Sequence, residues 1–255
     1  MFAKPLTLEN AYNGFAAIYS RANALTTVGG RAERLAFLLL ACADLSRCVR
    51  KEQAHLYPIA LAQIFAWFNS LAEDLFRQSG GHTIVHGMLE KYPQGLCGYC
   101  HRNPCVCAQT RRDEHNPGLG SFVQERWSLE DWQDNLRLIY GQANEAGGVP
   151  RALNRLFEEV AEVGRLLHLA EDPNEALDTL TEKMSRELTD VLAWLFALAS
   201  LLSIDLESAV IRLYDSGCPV CKEVSCECKN FAQRPGSDGI AHRFISAEEI
   251  HALAA

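Results

Sequence analysis

Hydrophobic positions recur every three to four residues along almost the whole chain, and no stretch alternates with the period of two that a half-buried strand shows. This spacing predicts helices near 6–25, 30–53, 57–78 and 82–92 in the first half. In the second half it predicts them near 127–146, 150–170, 174–202 and 205–214. Breakers fall between the helices at Gly29-Gly30, Pro58, Gly80-Gly81, Gly147-Gly148-Val149-Pro150 and Asp172-Pro173. Ser128 followed by Asp131 predicts a capping box at the first helix of the second half. The polar segment 108–121 reads as a linker. Beyond Cys228 the chain turns polar, and Ser246 with Glu249 predicts the start of a short terminal helix.

The two sets of helices are one unit written twice. Leu8-Glu9, Ile18-Tyr19, Ala22-Asn23 and Arg34-Leu35 return 121 positions later as Leu129-Glu130, Ile139-Tyr140, Ala143-Asn144 and Arg155-Leu156. The same offset carries Cys97, Cys100, Cys105 and Cys107 onto Cys218, Cys221, Cys226 and Cys228. At an offset of 127, Leu61, Ala66-Trp67 and Leu71-Ala72 fall on Leu188, Ala193-Trp194 and Leu198-Ala199. The expected fold is all-α, with two tandem helical bundles paired within one chain and a four-cysteine knuckle after each. The expected boundaries are 1–110 for the first copy with its knuckle, 111–125 for the linker, 126–230 for the second copy and 231–255 for a tail.

Only the second copy keeps its acidic residues. Glu159 and Glu162 are three apart and share a helix face, as do Glu187 and Asp190 on the next long helix. The two offsets carry these four onto Leu38, Ala41, Ala60 and Gln63. A Glu-x-x-Glu pair is common on a solvated face, but helical phase argues otherwise. The first pair lies in line with Leu156, Val163 and Leu166, and the second with Trp194, Ala197, Leu198 and Leu201. Charges on the core-facing stripe are expected to be paired or to hold a metal. Two carboxylates at about 4 Å repel by roughly 4 kcal/mol at an effective dielectric near 20. An oxygen-preferring divalent cation relieves this, and Mg²⁺ suits carboxylates that leave positions open. A di-iron centre would need Glu-x-x-His pairs in the core. The two present, Glu52/His55 and Glu248/His251, fall in the acid-free copy and in the tail.

Composition narrows the partners. The 255 residues carry a net charge of −8, which argues against a broad nucleic-acid surface and fits a ligand that brings its own cations. The longest apolar runs, 35–43 and 191–202, are well short of the roughly 18 residues of a membrane span. Met1 to Asn10 lacks the basic start and apolar stretch of a signal peptide, so a cytoplasmic location with reduced or metal-bound thiols is expected. Four cysteines within eleven residues, repeated at the same spacing, are expected to close a tetrahedral shell around one structural Zn²⁺ each. An iron–sulfur cluster is the alternative. Cys42 and Cys48 read as core thiols.

Glu159-x-x-Glu162, a gap of 24 residues, then Glu187-Leu-Thr-Asp190 followed by Val-Leu-Ala-Trp-Leu resembles the MazG-like all-α nucleoside triphosphate pyrophosphohydrolases. Ile204-Asp205-Leu206-Glu207-Ser208-Ala209 resembles the start of that family's fourth helix, so the likeness covers about 127–214. It implies two MazG-like bundles forming an intramolecular pseudo-dimer, similar to the dimeric dUTPases of the same superfamily. It also implies Mg²⁺ held by Glu159, Glu162, Glu187 and Asp190, and cleavage of a nucleoside triphosphate between its α- and β-phosphates. Family members carry phosphate-binding basic residues after the fourth helix, where Arg212 and Lys222 are the nearest candidates. Trp132, on the first helix of the second copy, is a candidate to stack on a base, with packing as its other reading. Where the family often has Asn, this chain has Ser200.

The alternative is a non-catalytic zinc-bearing adaptor or nucleotide sensor, with Arg102, Arg111 and Arg112 near the first knuckle as its contact residues. A fused pair leaves further self-assembly into a homo-oligomer open.

Overall fold

Leu8, Ala11, Phe15 and Ile18 share one helical face and are all buried, so the first helix owes its place to packing rather than to length. In the computed structural model, which describes residues 2–24, 28–77, 84–107, 124–170 and 177–227, that helix is α1 (Leu8–Ile18). It is followed by α2 (Ser20–Asn23), α3 (Val28–Arg50), α4 (Tyr57–Arg77) and α5 (Ile84–Lys91). The second half contributes α6 (Leu129–Leu169), α7 (Leu177–Leu201) and α8 (Leu206–Tyr214). No strand occurs among the described residues; one isolated antiparallel bridge joins Thr7 to Ser128. No single helix among them is long and apolar enough to cross a membrane.

The predicted helices are present, with two shifts. The segment expected at 6–25 breaks at Tyr19, whose backbone leaves the helical region. Gly29-Gly30 stands inside the first turn of α3 instead of ahead of it. The break expected at 147–150 is a kink within α6: Gly148 takes φ 70° and ψ 176°, the left-handed side that glycine tolerates, and Pro150 follows. The predicted capping box is formed, with Asp131 N donating to Ser128 Oγ at 3.0 Å and Ser128 N to Asp131 Oδ2 at 2.8 Å. Of the linker expected at 111–125, residues 111–123 lie outside the described residues, as do Cys228, Arg111, Arg112, the tail 231–255 and its expected helix start. The linker's end is structured: buried Gln124 donates to Tyr92 O at 3.0 Å and accepts from Gln94 N at 2.9 Å.

Helix α3 packs on α4 and α6 packs on α7, as two tandem repeats require, but the short helices cross over. Helix α5 packs on α7, and α8 packs on α4. Backbone hydrogen bonds repeat the exchange. Cys105 N donates to Ile139 O at 2.8 Å, and Cys226 N donates to Ile18 O at 2.8 Å. Each bond maps onto the other at an offset of 121, so each cysteine loop is tied to the first helix of the opposite half. Reciprocal contact of this kind, i with j and j with i, is the signature of an isologous interface. The helix caps Thr7 and Ser128, themselves 121 apart, meet in the isolated bridge, with Leu129 N donating to Leu6 O at 2.8 Å.

Candidate metal centres

Glycine sets the position of the acidic site. A Cβ on Gly87 would lie 2.3 Å from Thr189 Oγ1 and 2.9 Å from Ser185 Oγ, so only glycine lets α5 come this close to α7. One turn later on α5, Lys91 pairs with Asp190 of α7. Glu159 and Glu162 project from α6 beside them, and Glu187 stands one turn ahead of Asp190. All four carboxylates are half-buried. Glu159, Glu162 and Glu187 offer oxygens that all lie within 4.8 Å of one another. Opposite ligands of an octahedral Mg²⁺ are about 4.2 Å apart, so these three suit one small hard cation after slight closure. Asp190 is held on Lys91, a cation already supplied by the other half.

The electrostatics carry the same message. Burial pushes the Glu159 carboxyl up to about 7, with Asp190 and Glu162 adding to the rise and Lys91 opposing it. Burial likewise pushes Glu187 up to about 7, reinforced by its hydrogen bond and charge interaction with Glu162. Without a cation the cluster therefore retains protons near neutrality, which a divalent ion would displace.

Beside Glu187 and Asp190 opens a cleft of about 280 Å³, lined also by Gly87, Glu90, Lys91, Gly98, Tyr99 and Arg186. Five of the eight lining residues come from α5 and from the first cysteine loop. Gly98 is again a forced choice, since a Cβ there would lie 2.2 Å from the carbonyl oxygen of Lys91.

The cysteine loops are built alike. Cys97 N donates to Arg102 O at 3.2 Å and Cys218 N to Glu223 O at 2.9 Å; His101 N donates to Cys97 O at 2.9 Å and Lys222 N to Cys218 O at 2.8 Å. His101 and Lys222 both take a positive φ, 50° and 61°. No disulfide joins the described thiols. Sulfur–sulfur distances are 3.7 Å for Cys97–Cys107, 3.9 Å for Cys100–Cys105, 3.8 Å for Cys221–Cys226 and 3.4 Å for Cys218–Cys226. Four sulfurs at 2.3 Å from a tetrahedral zinc stand about 3.8 Å apart. Cys97, Cys100, Cys105 and Cys107 form one group able to hold a metal, and Cys218, Cys221 and Cys226 another. A hydrogen bond from Cys226 leads the lowering of the Cys218 thiol to about 5, against its burial. Burial raises Cys97, but amide donors and the Tyr140 hydroxyl, at 3.3 Å, bring it down to about 7. Cys42 and Cys48 are buried core thiols as expected, Cys42 pushed up to about 12 by burial.

One expected contact with substrate is corrected, and two lie away from the cleft. Trp132 is 1 % exposed and packs edge-on against Trp127 at 4.9 Å, so it is core and offers no face to a ligand. Arg212 and Lys222 do not line the cleft. Arg212 stands on α8, which packs on α4, and Lys222 belongs to the second cysteine loop. The crossover of α5 and α8 is the reason: the basic residue paired with the acids is Lys91, from the first half, while Arg186, also in the cleft wall, pairs with Glu182. Sequence reasoning missed Lys91, Gly87, Gly98 and Tyr99. The usable signal was that Lys91 stands just ahead of Cys97, at the end of the helix matching α8.

No family model, curated protein or solved structure matches this chain.

Proposed function

We propose that the chain is a Mg²⁺-dependent nucleoside triphosphate pyrophosphohydrolase, an intramolecular pseudo-dimer of two MazG-like bundles with one acidic site and a zinc knuckle after each bundle. The observation that carries this reading is the convergence of Glu159, Glu162 and Glu187 from two packed helices, next to a cleft also lined by a cation, Lys91, paired with Asp190. Carboxylates gathered this way match a hard divalent ion in donor chemistry and in span. Bound there, the ion would neutralise phosphate charge and polarise the scissile bond.

The residues have distinct tasks. Glu159, Glu162 and Glu187, with Asp190 beside them, would hold the cation, which would supply the charge that draws in the triphosphate. Lys91 exchanges its partner Asp190 for a phosphate oxygen as the ligand enters. Water attacks the α-phosphorus, the bond to the bridging oxygen breaks, and a carboxylate of the cluster takes the proton from the water. The products are a nucleoside monophosphate and pyrophosphate. Little covalent chemistry is asked of the protein, only position and charge. Zinc in the cysteine loops would have a structural role, since four thiolates leave it no open ligand position.

The test is pyrophosphate release from a panel of canonical-base and modified nucleoside triphosphates with Mg²⁺, repeated with Glu162→Gln. The expected result is turnover of at least one nucleotide by the native chain and none by the variant, at equal helix content and equal zinc. Elemental analysis is expected to give two zinc ions per chain. A native protein that holds zinc but turns over no nucleotide would instead support the adaptor or sensor.

A further inference from the structure

Resting on the hydrolase reading, we propose that Tyr99, carried on the first cysteine loop, is the stacking surface for the nucleobase, so that the acid-free half supplies base recognition to the acids of the other half. Tyr99 is among the few large apolar side chains left exposed, at 38 %, and it lines the cleft beside Glu187 and Asp190. A ring in this position is rigidly mounted. It stands between two cysteines of a group able to hold one metal. Gly98 presses its loop against the Lys91 carbonyl, and Cys105 N fastens the same loop to Ile139 O.

The cleft brings together the groups a nucleotide needs: the carboxylates of Glu187 and Asp190 beside the cation site, Lys91 for phosphate and the Tyr99 ring for the base. Aromatic stacking tolerates any base, since every base has a π-face. The second cysteine loop offers an internal control. The same 121-residue offset places Val220 opposite Tyr99, and Val220 is equally exposed at 39 %. The half to which its loop is tied, the first, has no carboxylate cluster to serve.

Binding is measured by calorimetry on the full-length, zinc-loaded chain with Mg²⁺. The probes are α,β-methylene deoxynucleoside triphosphates, which keep the base but resist cleavage, and inorganic tripolyphosphate, which has no base. Tyr99→Ala is expected to weaken binding of the methylene analogues about tenfold while leaving tripolyphosphate within about twofold. Tyr99→Phe restores binding, and Val220→Ala changes neither ligand. Equal loss for both ligands, or no loss for either, overturns the proposal and makes Tyr99 a loop residue only. Failure of the hydrolase reading is separable. A native chain that binds the analogues through Tyr99 yet releases no pyrophosphate from natural nucleotides keeps this inference and loses that reading, and a native chain that binds no analogue loses both.

Discussion

Glu159, Glu162, Glu187 and Asp190 occupy the same helical positions in the second half that Leu38, Ala41, Ala60 and Gln63 occupy in the first, yet the two regions are physical opposites. In the second half the carboxylates are half-buried, Glu187 and Asp190 line a cleft, and burial, with neighbouring charge adding to it, makes Glu159 and Glu187 hold on to protons. In the first half all four positions are buried, and the neighbouring aromatics stack into a wall: Phe37 on Trp67 at 4.6 Å and Trp67 on Tyr19 at 5.1 Å. The opposing short helices follow suit. Helix α5 brings Lys91 to the acids, whereas its match at the 121-residue offset, Arg212, stands exposed on α8, which packs on the apolar side. At these matched positions one half thus adds to the core, and the charge pattern that suits a cation is present only in the other.

The strongest way to break this comparison is to put an acid back where it was lost. Ala41→Glu buries an unpaired carboxylate in the apolar half and is expected to cost about 3–5 kcal/mol in urea unfolding. The mirror change, Glu162→Ala in Mg²⁺-free buffer, is expected to leave stability unchanged or raised, because it removes repulsion. A tolerated Ala41→Glu would show that the apolar half still has a cleft.

Lys91→Met tests whether the crossover supplies the working cation. Losing a charge-assisted contact to phosphate is expected to lower kcat/KM about tenfold or more. Because Asp190 is then released, Mg²⁺ should bind more tightly, so the Mg²⁺ titration midpoint should move to lower concentration. Parallel weakening of both would make Lys91 merely structural.

Gly87→Val sharpens the role of the close helix approach. The added carbons meet Thr189 and Ser185, and overpacking of this kind costs about 1–3 kcal/mol. Its signature is loss of turnover out of proportion to the loss of stability, since α5 is pushed off α7. The counterpart of this helix, α8, has no such glycine in its sequence, and Ala209→Val should affect stability without touching turnover.

The smallest expected effect is a pH slope that exists only without the cation. Glu159 and Glu187 sit at about 7 in the folded chain against an ordinary 4.5, so between these values the folded state binds more protons than the unfolded state. Their contribution to stability is therefore full at low pH and is lost as pH rises through about 7. Mg²⁺ reverses the loss by replacing the protons. The rise in Tm caused by Mg²⁺ is accordingly expected to be larger near about pH 8 than near about pH 5. An equal rise at both would mean that the carboxylates do not share an ion.

Much of this was legible in the chain itself because helical phase and repeat offset are local properties. Glu159 and Glu162 had to share a face with Leu156 and Val163, and those apolar neighbours are buried. Ser128 and Asp131 had to cap, and they do. The kink at Gly148 followed from a glycine ahead of a proline. The substrate side was not legible in the same way. Arg212 and Lys222 were the nearest cations in sequence, but nearness along the chain does not tell which half a short helix will pack against. Trp132 looked available only because a helix pattern does not show that Trp127 and the core close over it.

By itself the sequence determined the all-helical architecture, the internal repeat, the two sets of thiols and the four acids kept in one copy, since each follows from spacing within tens of residues. Tertiary structure alone decided that α5 and α8 change places, bringing Lys91, Gly98 and Tyr99 to acids about a hundred residues away along the chain. The reason is steric and electrostatic. A glycine surface on α5 fits tightly against α7, and its lysine meets a carboxylate there that the apolar half no longer has.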